Sequence, residues 1–126
     1  MAETTQFELV TPARVMVSQE AEMITVPGAE GQFGVLARHA PVIANLQMGR
    51  VDVYENGQIT SSFMIDGGLA DVTGEKLVIL AQRAEDLNKV SAEELKERAK
   101  GASDADAAFL TACAEAVAKR ARNKNH

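Results

Sequence analysis

Tryptophan is absent from this chain and tyrosine occurs once, which argues against a large aromatic platform for stacking bases or sugars. A single cysteine, Cys113, excludes an intrachain disulfide and fits a reducing compartment. His39 and His126 are the only histidines, so a histidine-based metal site is not expected. No apolar run approaches the roughly 20 residues that a membrane-spanning helix needs. Residues 1–6 are polar and lack a basic or hydrophobic signal pattern, so cytoplasmic synthesis and residence are expected. A net charge of −5 argues against a general nucleic-acid binder.

What remains is an ordinary globular composition, 46% hydrophobic and 25% charged over 126 residues. That suits one domain, or one small domain with an appendage, and is enough to bury a core. The charge is uneven. Residues 1–90 carry 12 acids and 6 bases, a net of −6, whereas residues 91–126 carry 6 acids and 7 bases, a net of +1. Lys119, Arg120, Arg122 and Lys124 stand together without an acid. Such a basic end either complements a helix dipole in solvent or meets an acidic partner.

The most distinctive stretch is Val26–Val42, V-P-G-A-E-G-Q-F-G-V-L-A-R-H-A-P-V, which sets three glycines and two prolines among apolar residues. Glycines at this density mark a backbone that turns or comes close to something else. The stretch holds no catalytic pairing and no metal-ligand set, and its glycine spacing fits neither a dinucleotide nor a phosphate loop. It reads as a loop that touches a partner. His39 reads as an interface or turn residue in preference to a general base, because no nucleophile or carboxylate neighbours it.

The first two thirds of the chain read as short strands. Phe7–Val10 and Val51–Tyr54 alternate, and Met23–Val26 is apolar and rich in β-branched residues. Asn56-Gly57 predicts a tight hairpin turn into a strand at Ile59–Ile65. Asp66-Gly67-Gly68 offers too few ligands for calcium and reads as a strand-terminating turn. Leu69–Val72 follows as another strand, and after Thr73-Gly74-Glu75 the run Lys76–Leu80 reads as a strand buried on both faces. Short strands with regular turns predict an antiparallel sandwich or barrel.

From Ser91 onward the period changes. Ser91-Ala92-Glu93-Glu94 is a capping box. Ala92, Leu95, Ala99 and Ala102 share one helical face, and Gly101 ends that helix. Ser103-Asp104-Ala105-Asp106 opens a second helix whose stripe is Ala105, Ala108, Phe109, Ala112, Cys113 and Ala116. Cys113 on that stripe reads as a buried small hydrophobe. Alanine seams bury little area, so at roughly 25 cal/mol per Å² this hairpin should open or detach at modest cost.

The order of a β-sandwich, then V-P-G-x-E-G-x-F-G-V-L-x-x-H-A-P, then an alanine-rich helical hairpin resembles the ε subunit of bacterial F-type ATP synthases, whose mitochondrial counterpart is δ. Ile65-Asp66-Gly67-Gly68 is similar to that family's following signature, and the resemblance covers essentially the whole chain. It implies an α+β fold: an N-terminal antiparallel β-sandwich, residues 1–87, then a C-terminal antiparallel two-helix hairpin, residues 88–126. It also implies a non-catalytic rotor part in the central stalk, with no cofactor, that couples ion flow to ATP synthesis. The lack of a transit peptide favours the bacterial form, peripheral on the cytoplasmic face of the inner membrane.

Carried over residue by residue, the resemblance places a c-ring contact on Glu30, Gly31 and Gln32, with Gln32 where many members carry an acid. It places a γ-subunit contact on Arg38, His39, Ala40, Pro41 and Val42, and Ala37-Arg38 stands where the family usually has Pro-Gly. The ATP-binding motif of some members falls on Leu87, Asn88, Lys89, Val90, Ser91 and Ala92. Asn88 replaces its Asp and Ser91 its Arg, so little or no ATP sensing is expected. Any inhibition would then come from Lys119, Arg120, Arg122 and Lys124 meeting an acidic loop of the α/β catalytic head. The second helix is short for such a reach. The alternative is a free-standing nucleotide-binding regulatory module.

Overall fold

The structure, a computed structural model, describes residues 3–124, with side chains described as far as Lys119. The chain divides into two compact units, Met1–Ala84 and Glu85–His126. The first is built from β1 (Thr5–Val10), β2 (Val15–Ala21), β3 (Met23–Gly28), β4 (Gly31–Leu36), β5 (Val42–Glu55), β6 (Gln58–Thr73) and β7 (Lys76–Leu80), in the order β2-β1-β7-β6-β5-β3-β4. A short β8 (Ala84–Asp86) spans the border between the units.

Two long strands make this one sheet into a sandwich. β5 and β6 run 14 and 16 residues, and each serves both layers. The second half of β6 pairs with β7, while the second half of β5 pairs with β3. The ring of Phe7 on β1 meets that of Phe63 on β6 edge-on at 6.4 Å. Period-two patterning does the sorting: β1 buries Thr5, Phe7 and Leu9 and leaves Gln6, Glu8 and Val10 partly exposed. Ile24, Val26, Val35, Val51, Val53, Ile65, Leu77 and Ile79 complete the core. The pairing is antiparallel except between β1 and β7, which run parallel. A parallel pair needs a long crossover, and here the intervening strands provide it.

Asn56 and Gly57 form the expected hairpin turn, at φ 54° and 74°. Three expectations fail. Val26–Val42 is not a loop: most of it is the hairpin of β3 and β4, followed by a turn into β5. Its glycines lower apparent strand propensity, yet Gly28 is where the strands close. A Cβ there would lie 2.5 Å from the Gly31 carbonyl oxygen. Asp66-Gly67-Gly68 does not terminate a strand. β6 continues through it to Thr73 in unbroken register with β5, with Gly67 and Gly68 at φ 81° and 146°, values that glycine adopts without strain. Nor is β7 buried on both faces. Leu77 and Ile79 face the core, Val78 is half-buried and Leu80 is exposed, because the outer face of this layer carries no second sheet.

The second unit holds α1 (Ala92–Lys100) and α2 (Asp104–Lys124). The Ser91 hydroxyl accepts a hydrogen bond from the Glu94 backbone N–H at 3.1 Å, and the Ser103 hydroxyl accepts one from Asp106 at 3.3 Å. These side chains satisfy amides that a helix start leaves unpaired. On α1, Leu95 is buried and Ala92 and Ala99 are half-buried, whereas the charged residues are exposed, so the expected face is observed. Gly101 caps the helix at φ −103°, without using the left-handed region. The stripe on α2 is displaced. Phe109 and Cys113 are buried as expected, but Ala105 and Ala108 are exposed, and Leu110 and Ala114 are buried instead. The larger leucine, with more apolar area to withdraw from water, sets the buried arc.

Candidate functional site

The β3–β4 turn and the start of β5 enclose a groove of about 380 Å³, lined by Gly28–Gly31, Phe33 and Val42–Asn45. The Ala29 N–H donates to the Asn45 carbonyl at 2.9 Å, and the Gln47 side-chain amide donates to the Gly28 carbonyl at 3.2 Å. These bonds hold the turn against β5. Two segments that are separate in sequence therefore meet: Glu30 and Gly31 line the groove together with Val42. Gln32 is exposed on β4, register partner of Pro27. Phe33 is half-buried, packs on the core, and has its ring 6.5 Å from that of His39.

The surface beside this groove is apolar. Leu36, Val42 and Ile43 are 54%, 39% and 68% exposed. The His39 ring is tied to its own loop, Nδ1 donating to the Ala40 carbonyl at 2.7 Å. Ala40 and Pro41 are exposed. An apolar rim, one carboxylate at Glu30 and a histidine held by its backbone can dock a partner. They do not make an acid–base or nucleophilic set. Among the described residues no group of three or more His, Cys, Asp or Glu side chains could hold a metal ion.

Arg38 sits at the turn between β4 and β5, where the His39 N–H donates to the Leu36 carbonyl at 3.2 Å. Its φ is 64°, a left-handed value that an arginine adopts at a cost. Such a turn takes proline then glycine with least strain, and Ala37-Arg38 forms it regardless. The Arg38–Glu3 ion pair at 2.9 Å is widely exposed and contributes little. Replacing Arg38 by glycine should therefore raise the melting temperature by about 2–4 °C, from roughly half a kcal/mol of net strain relief. A melt followed by circular dichroism checks it.

Sequence reasoning missed Asp52, which is only 2% exposed. Its carboxylate accepts from the Ser62 hydroxyl at 2.7 Å and from Arg50 Nε at 3.1 Å. Val-Asp-Val reads as simple alternation with the acid in solvent, and only the strand partners reveal otherwise. The Asp66–Arg83 ion pair was equally invisible.

In the second unit Leu87 is buried and Ala92 half-buried. Asn88 is part of a local turn: its backbone and side-chain N–H groups both donate to Asp86 Oδ1 at 2.9 Å. Ser91 is occupied as the helix cap. Arg98 forms a fork onto Glu85, with contacts of 2.7 and 3.3 Å. That hydrogen bonding raises the guanidinium pKa above its ordinary value, against the pull of partial burial. Lys119 is exposed on α2, while the side chains of Arg120, Arg122 and Lys124 lie outside the described residues.

Comparison with known proteins adds a second line. The family described as "ATP synthase, Delta/Epsilon chain, beta-sandwich domain" matches residues 4–87. The ATP synthase epsilon chain of Paramagnetospirillum magneticum is 44% identical over 105 residues, covering 83% of this chain and 79% of that protein. The ATP synthase epsilon chain of Rhodospirillum rubrum is 38% identical over 128 residues, covering 93% of this chain and 96% of its own length. Among solved structures, a chain in the cryo-EM structure of Euglena gracilis mitochondrial ATP synthase superposes over 100% of this chain and 84% of that one. Its TM-score is 0.63 at 21% identity, a likeness of fold.

Proposed function

The chain belongs to the ATP synthase delta/epsilon family, and from that premise we propose that it is a non-catalytic epsilon subunit of the central stalk, coupling rotation of the membrane c-ring to ATP synthesis in the catalytic head. The observation that carries this is the groove, which joins Glu30 and Gly31 to Val42 beside an exposed apolar rim and no reactive set. In this reading Glu30, Gly31 and Gln32 face the c-ring, and Arg38, His39, Ala40, Pro41 and Val42 face γ. The protein sits on the cytoplasmic face of the bacterial inner membrane through the complex. None of the helices in the described residues is long and apolar enough to cross a membrane.

The helical unit is the regulatory part. Lys119 and the basic residues after it would meet an acidic loop on the α/β head, and such partly solvated contacts should weaken with salt. A nucleotide-binding module is disfavoured, because Asn88 and Ser91 spend their polar groups on the Asp86 turn and the α1 cap. The deciding experiment is capture from detergent-solubilised membranes with a tag at Met1. Recovery of γ and the c-subunit is the expected result. Recovery of the chain without either would overturn the proposal.

A further inference from the structure

β7 ends at Leu80, and five residues later the chain is in the second unit. The connecting segment is pinned twice. The Ala81 N–H donates to the Val10 carbonyl at 2.9 Å, at the end of β1. Arg83 then meets Asp66 on β6: Nε donates to Oδ2 at 3.1 Å, Nη2 donates to the same oxygen, and the Asp66 N–H donates back to the Arg83 carbonyl at 3.2 Å. Gly67 and Gly68, both at positive φ, follow Asp66 directly. The two side chains are about one third and one quarter exposed, so solvent screens this pair only in part.

The first two carboxylates of the second unit have partners within it. Glu85 holds Arg98, and Asp86 holds Asn88. The last side-chain pin of the sandwich, Arg83, and the first of the helical unit, Glu85, thus lie two residues apart in the chain, on either side of Ala84, where β8 begins its pairing with β6. We propose that Asp66 and Arg83 form a latch that fixes residues 81–83 to the sandwich and insulates it from movement of the helical unit. The insulating role rests on the reading that the hairpin opens in use. The guanidinium suits the task because its planar fork gives two donors and fixes direction, which a lysine ammonium does not.

Hydrogen–deuterium exchange of the whole chain, read by mass spectrometry, tests this without γ or the c-ring. Its outcome is therefore separate from that of the capture experiment. Arg83→Lys should speed exchange in residues 81–84 by roughly 3- to 30-fold, the span of a half-exposed charge-assisted pair, and leave β1 and β3 unchanged. Leu95→Ala, which loosens the buried seam of α1, should speed exchange only from residue 85 onward. Combined with Arg83→Lys, its effect should spread back into residues 76–84. The latch is overturned if Arg83→Lys leaves residues 81–84 unchanged, or speeds the whole sandwich equally. It is also overturned if Leu95→Ala alone reaches residues 76–84.

Discussion

Replacing Gly68 by valine is expected to unfold the sandwich or leave it barely stable. At φ 146° this residue occupies a region that side-chain-bearing residues rarely enter, at about 1–3 kcal/mol. A Cβ would also run into the Leu80 carbonyl and stand 3.1 Å from the Ala81 Cα, both of them backbone, so no rotamer change relieves it. Strain and overpacking together cost about 4 kcal/mol or more, a large share of the roughly 5–15 kcal/mol that holds a domain together. The melting temperature should fall by about 15 °C or more. Gly74→Ala is the matched control: nothing lies within 4 Å of its Cβ position and its φ is not in the left-handed range. That variant should melt at or slightly above the wild-type temperature. A wild-type melt for Gly68→Val would mean that the Gly68 backbone neither holds this φ nor lies this close to Leu80 and Ala81.

The second large effect concerns binding. Changing His39 and Val42 together to Asp should weaken affinity for purified γ by about a hundredfold or more. Two carboxylates would be withdrawn from water at the contact without cationic partners, and each such loss costs on the order of 1–3 kcal/mol. The fold should tolerate the change, since Val42 is 39% exposed and the side-chain hydrogen bond of His39 runs to the adjacent Ala40 carbonyl. Association measured by interferometry, with circular dichroism as a check on folding, reads both effects. An unchanged dissociation constant would remove this segment from the interface and send the proposed γ contact elsewhere on the sandwich.

The places where the sequence was read correctly share a physical property. Asn56-Gly57, the Ser91 cap and the Ala92–Leu95–Ala99 face each depend on residues within one or two turns of each other, so local chemistry decides them. The glycine-rich stretch takes a hairpin form in place of the expected loop, because glycine signals close approach without saying what is approached. There the backbone approaches itself, Gly28 against Gly31, and the hairpin so made carries Glu30 toward Val42. Glu30 and Gly31 of one candidate contact and Val42 of the other, separate in sequence and assigned to different partners, thus line one groove.

Other features were out of reach. Asp52 is buried because Ser62 faces it across β5 and β6. Arg83 finds Asp66, 17 positions away, only once the segment after β7 lies beside β6. The sequence by itself determined the fold class, the Asn56-Gly57 turn and the helix starts, since each follows from residue type and short-range spacing. Tertiary structure decided which side chains of β7 and α2 are buried, how far β6 continues and how the groove is assembled. Those depend on contacts between residues 10 to 20 or more positions apart, whose pairing is fixed only when the whole sheet closes on its core.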